Sequence, residues 1–169
     1  MIRNGFGQVE PNHLSAQRTG QIYAQLPAAK DLKILENGQY VKYDYANNEV
    51  NLTGEGEWML VFNEVKLYDG YRETYKDFAL KSKDAVDGII TPRVFKTNIG
   101  DIYTTNCLEK AAASKDAETE MTDLEVGDTL GINEKGFLDP TVKEGIIFQV
   151  AKVYTMADGQ EAVKVQRIA

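Results

Sequence analysis

Little in this chain can serve as a nucleophile or a general base. It carries one histidine, His13, and one cysteine, Cys107. A Ser-His-Asp or Cys-His system would have to use His13, which sits between Asn12 and Leu14 in an irregular segment, a poor place to hold a base in register. As a metal ligand, His13 has no His or Cys companion at a useful spacing. Cys107 alone excludes an internal disulfide and any cysteine-cluster metal site. Carboxylates are the remaining candidates, because Glu55-Gly56-Glu57 and Asp69 stand near Trp58 and Tyr68, as acids do beside aromatic rings in glycoside hydrolases. Separation in space decides that reaction, and among 26 acidic residues some such proximity arises by chance. No phosphate-binding P-loop and no dinucleotide-binding glycine fingerprint is present; Gly5-Phe6-Gly7 is merely glycine-rich. Asp158-Gly159 lacks the oxygen-ligand frame of a calcium loop. The reading is a protein that is not an enzyme and takes no metal or cofactor.

The nine tyrosines carry more information. Tyr40, Tyr43, Tyr45, Tyr68, Tyr71 and Tyr75 lie close together in the sequence. Half-buried strand faces favour tyrosine, so sheet surface and core account for many of them. Tyrosine also suits protein interfaces, joining apolar area to a polar tip. A nucleic-acid platform would interleave Lys and Arg, whereas Asp44, Glu49, Asp69, Glu73 and Asp77 interleave here. A protein interface is the better reading.

Composition sets the frame for these residues. The chain has 169 residues, 43% of them hydrophobic, which suits one domain with a real core. Its net charge of −7 opposes binding to phosphate backbones or anionic membranes. The N-terminus lacks the apolar run of a signal peptide, and no later segment approaches a membrane span. A protein made in a reducing cytoplasm is therefore expected.

Strand signals dominate. Gln21–Leu26 alternates and stops at Pro27. Asn37-Gly38 turns into Gln39–Tyr45, with Val41, Tyr43 and Tyr45 on one face. Asn47-Asn48 leads into Glu49–Leu52. Glu57–Phe62 is apolar without alternation, the mark of a central strand covered on both faces. Asp87-Gly88, the break at Pro92, Arg93–Lys96 and Ile102–Cys107 continue the pattern. Residues 68–78 fit a loop with a short helix. Residues 109–123, rich in Ala and charge but lacking an apolar stripe, fit an exposed helix or loop. Ile99-Gly100-Asp101-Ile102-Tyr103 echoes Val126-Gly127-Asp128-Thr129-Leu130, and each stretch reaches an Asn (Asn106, Asn133). Shared turn chemistry explains this more cheaply than duplication.

Residues 1–19 differ from the rest. Their apolar residues are scattered among Gly5, Gly7 and Pro11 without helix or strand periodicity, which fits a frayed terminus or an arm docking on a neighbouring subunit. The domain proper is then residues 20–169. The expected interface residues are Ile2, Phe6, Val9 and His13 on the arm, with Tyr68, Tyr71 and Tyr75.

The last third is the most legible. Val126-Gly127-Asp128 enters a strand, Gly136-Phe137-Leu138 makes a short step, and a long hairpin follows. Its strands are Gly145–Thr155 and Gln160–Ile168, joined at Ala157-Asp158-Gly159, a strong turn signal. Val163, Val165 and Arg167 share one face; Lys164, Gln166 and Ile168 share the other. The fold class is mainly β: a small barrel or sandwich with an elaborated N-terminal half and an extended arm.

These C-terminal elements resemble the decoration, or cement, proteins of tailed-phage capsids. Those proteins pack a small β-barrel with a Val-Gly-Asp strand entry, a Gly-hydrophobic-Leu step, a strand reaching a Val-Ala and a closing hairpin strand. The resemblance covers Val126–Asp128, Gly136–Leu138, Gly145–Ala151 and Ala162–Ile168, and nothing in residues 20–108. It implies a structural protein on the outer surface of a virion. Its partners would be the major capsid protein and further copies of itself, with no nucleic acid and no membrane. Two alternatives stand beside it: another virion component, such as a head-fibre base, neck or tail protein, and a carbohydrate-binding or carbohydrate-cleaving β domain.

Overall fold

A computed structural model describes residues 5–15, 24–63, 79–109, 124–156 and 159–169. The fold is mainly β, with curled sheets that form half-barrels. In chain order the strands are β1 (Val9–His13), β2 (Ala24–Gln25), β3 (Ile34–Glu36), β4 (Tyr40–Asp44), β5 (Glu49–Asn51) and β6 (Trp58–Val61). They continue with β7 (Ala79–Lys81), β8 (Arg93–Phe95), β9 (Ile102–Thr105), β10 (Thr129–Ile132), β11 (Leu138–Asp139), β12 (Phe148–Thr155) and β13 (Glu161–Arg167). A six-stranded sheet runs β1-β9-β13-β12-β10-β11, a five-stranded sheet runs β2-β8-β6-β4-β5, and β3 pairs with β7.

Two cores result, one on each face of the five-stranded sheet. Tyr40 and Leu60, paired across β4 and β6, meet Tyr103, Leu130, Phe148, Val150, Val163 and Val165 of the six-stranded sheet. Val41, Met59, Val61, Val50 and Val94 turn the other way, toward Leu35, Ala28 and Ile90. This is why Trp58–Val61 does not alternate: β6 has apolar partners on both faces. The expectation of a doubly covered central strand holds.

The closing hairpin also holds, with one refinement. Phe148 and Val150 are buried, Ala151 and Lys152 are exposed, and Val153 is half-buried against the core. Val150 pairs with Val165 but Lys152 pairs with Lys164, so one extra residue bulges from β12. The bulge resets the phase and brings Val153 opposite Val163. Residues 157–158 of the turn, the expected loop-helix at 68–78 and the expected helix or loop at 110–123 lie outside the described residues.

The echo noted in the sequence is a repeated structural unit. Asp101 N–H donates to the Asn98 carbonyl and Asp128 N–H to the Glu125 carbonyl. In return each carboxylate accepts the N–H of the turn's first residue, at 2.8 Å in both. Gly100 and Gly127 occupy the third position with φ of 94° and 101°, where only glycine is unstrained. The equivalence runs on into the ladders. Ile102↔Gln166 and Tyr103↔Val165 correspond to Thr129↔Gln149 and Leu130↔Phe148, related by a local two-fold between β12 and β13.

One expectation needs correcting. Residues 9–13 of the supposed arm form β1, paired with β9 of the same chain through Val9↔Thr105, Glu10↔Thr104 and His13↔Ile102. Pro11 is tolerated because β1 is an edge strand with an irregularity between Glu10 and His13. Val9 packs on the main core and Leu14 is buried within it. Further bonds tie the segment down: Gly7 N–H to Glu36 at 2.7 Å, Gln8 N–H to Asn106 at 2.8 Å, and Ser15 to both oxygens of Asp101 at 3.0 Å. Strand periodicity was invisible because the edge strand is short and distorted.

Candidate functional site

The structure uses two of the expected interface residues internally. Val9 lies against the core, and Phe6 is half-buried with the Lys81 ammonium 4.3 Å above its ring. His13 is exposed on β1. Ile2, Tyr68, Tyr71 and Tyr75 lie outside the described residues. Cys107 is fully buried. A side chain on Gly7 would come within 2.9 Å of its sulfur, so the thiol fills space under the N-terminal segment.

Of the candidate carboxylates, Glu55 and Glu57 lie within the described residues. Glu57 pairs with Lys96 at 2.8 Å, and the Trp58 face is covered by the Lys42 ammonium, 4.7 Å from its centroid. Glu55 is exposed on the loop between β5 and β6, and Asp69 lies outside the described residues.

A cleft of about 400 Å³ opens beside β10 and β11, lined by Glu109, Asn133, Lys135, Asp139 and Thr141 among others. Asn133 organises it. Its amide nitrogen donates to Glu109 at 2.9 Å and to Asp139 at 3.3 Å, and its oxygen accepts the N–H groups of Lys135 and Phe137, both at 3.0 Å. Lys135 closes on Glu109 at 2.6 Å, and Thr141 donates to Asp139 through its N–H (2.7 Å) and its hydroxyl (2.6 Å). Hydrogen bonding to Glu109, then its charge, pushes the Lys135 pKa up, so this lysine stays an ammonium. The polar groups satisfy one another, which ties the segments around the cleft together. Among the described residues, no group of three His, Cys, Asp or Glu side chains stands where it could hold a metal ion.

The outer face of the six-stranded sheet holds a second polar group, which the sequence did not single out. Tyr154 reaches from β12 over β13, so that its hydroxyl lies 2.7 Å from Thr104 on β9 and 2.9 Å from Glu10 on β1. Thr104 in turn donates to Asn12 at 2.8 Å. Ala162, its cross-strand partner, is fully buried. Burial, with the Glu10 hydrogen bond and charge behind it, pushes the Tyr154 pKa up. Lys152 and Lys164 flank the ring at 5.3 and 6.0 Å from its centroid. Only the bulge in β12 sets these two lysines opposite each other, and the spacing of the sequence does not reveal it.

No family model, no curated protein and no solved structure matches this chain.

Proposed function

We propose that this protein is a structural component of a virion, binding the outside of an assembled phage head and bridging neighbouring major capsid subunits. One observation carries the reading: the segments that resemble capsid decoration proteins form one continuous unit. The Gly127-Asp128 turn enters β10, the Gly136 step leads into β11, and β12 and β13 close the same six-stranded sheet. Many weak contacts repeated over a shell sum to a large stabilisation without a strong single site. The engagement of Glu57 by Lys96 and of Trp58 by Lys42 weighs against sugar cleavage at that surface.

Electron microscopy of heads assembled with and without the protein tests this. Added density at regular outer-surface positions, with heads that survive heating better when it is present, is the expected result. Density confined to the neck or tail would favour the other virion reading. Protein that fails to sediment with heads would end both.

A further inference from the structure

Lys152 and Lys164 stand directly opposite each other on β12 and β13. Like charges at cross-strand positions are destabilising, and at two other places a carboxylate stands beside a lysine. Glu57 meets Lys96 and Glu109 meets Lys135. Carboxylates are in excess, 26 acidic residues against 19 basic. Yet among the described residues neither Lys152 nor Lys164 has a carboxylate partner. The nearby acid, Glu10, lies against the Tyr154 hydroxyl instead.

The backbone enforces this arrangement. Without the bulge between Val150 and Lys152, Ala151 would face Lys164 and Lys152 would turn inward. Bulges re-aim side chains in this way. Tyr154, held at its hydroxyl end by Thr104 and Glu10, keeps its ring fixed near both ammonium groups. Cation–π attraction holds each cation near the ring and leaves its charge unneutralised.

We propose that Lys152, Lys164 and the Tyr154 ring form a docking site for an acidic segment of a partner protein, with Asp or Glu carboxylates received between the two ammonium groups. Among the described residues the site is made of side chains on strands whose backbone is engaged in the ladder, which suits a side chain presented by a partner surface better than a free ion held by backbone N–H groups. This site stands independently of the virion reading.

The test is binding of a short polyglutamate peptide to the full-length protein at low salt, followed by fluorescence anisotropy, with inorganic phosphate as competitor. Wild type should bind, and Lys152→Gln/Lys164→Gln should bind about tenfold more weakly, the scale of losing charge-assisted contacts. Lys83→Gln, which changes an exposed lysine elsewhere, should bind as wild type does. Melting at low salt separates site from scaffold: each single Lys→Gln variant should melt at or above the wild-type temperature, because repulsion is relieved. Equal binding by the double variant would overturn the proposal, as would displacement of the peptide by equimolar phosphate. A fall in melting temperature in the single variants would also overturn it, since the lysines would then be serving the fold.

Discussion

The hydroxyls of Tyr40 and Tyr103 meet at 2.6 Å between the two large sheets, with neither side chain exposed. Tyr40 belongs to β4 of one sheet and Tyr103 to β9 of the other, and the Phe148 ring packs 5.9 and 5.7 Å from them. It is a polar link across an otherwise apolar core. Tyr103→Phe should strand the Tyr40 hydroxyl and cost about 1–3 kcal/mol, while Tyr40→Phe/Tyr103→Phe should cost less than the two single changes added together. Urea melts of the four proteins measure this coupling; strict additivity would mean that the bond contributes nothing.

The same pair sets an alkaline limit. Burial is the leading cause that holds both phenols protonated well above the ordinary value of 10.0. Groups with a raised folded-state pKa stabilise fully below the unfolded pKa, and that contribution is lost as pH climbs toward the folded values. Stability should therefore fall above about pH 10, and Tyr40→Phe/Tyr103→Phe should fall less. Melting temperature against pH checks the difference in slope.

Removing residues 1–12 should destabilise the isolated protein. It deletes most of β1, the Val9 contact with the core and the Gly7 and Gln8 hydrogen bonds. Loss of one half-buried valine and several bonds of about 1 kcal/mol each predicts about 3 kcal/mol or more. A truncated protein that melts with wild type would restore the arm reading.

Gly136→Ala should be among the costly small substitutions. Gly136 has φ of 81°, its carbonyl accepts the Tyr40 N–H at 2.7 Å, and a Cβ there would overlap the Tyr40 carbonyl oxygen. Positive φ and overpacking together predict about 2–4 kcal/mol. Gly145→Ala, also at φ of 81° but in open space, is the control for conformation alone. Equal losses in denaturant midpoint would show that crowding against Tyr40 is unimportant.

Asp44 shapes the response to acid. Its carboxylate accepts from the Asn47 N–H and side chain, from Asn51 and from the Ala46 N–H, and these bonds hold its pKa below 3.8. A depressed folded-state pKa gives stability that is present above the unfolded value and lost as pH falls through the folded one. Wild type should lose its advantage over Asp44→Ala as the solution is taken below about pH 4, the unfolded range. Melting curves that stay a constant distance apart would place the contribution elsewhere.

What the sequence determined by itself was local. Asn37-Gly38, Asn47-Asn48, Asp87-Gly88 and the two Gly-Asp turns are legible because positive φ and turn hydrogen bonding are properties of a few adjacent residues. The shared face of Val163 and Val165 is legible because period-two alternation needs only one strand, and the unbroken apolar run at Trp58–Val61 announced two covered faces. Tertiary structure decided the rest. Whether Val9 finds Thr105, whether Tyr40 meets Tyr103, and whether Lys152 faces Lys164 depend on register between segments far apart in the chain. Register is fixed by core packing and by one bulged residue, and a single-residue slip would send every side chain of the strand to the opposite face. The Tyr40–Tyr103 and Tyr154 groups are held by such long-range pairings, whereas the Asp44 cluster is closed by neighbours in the chain. The strands could be read along the chain, while the groups they bring together could not.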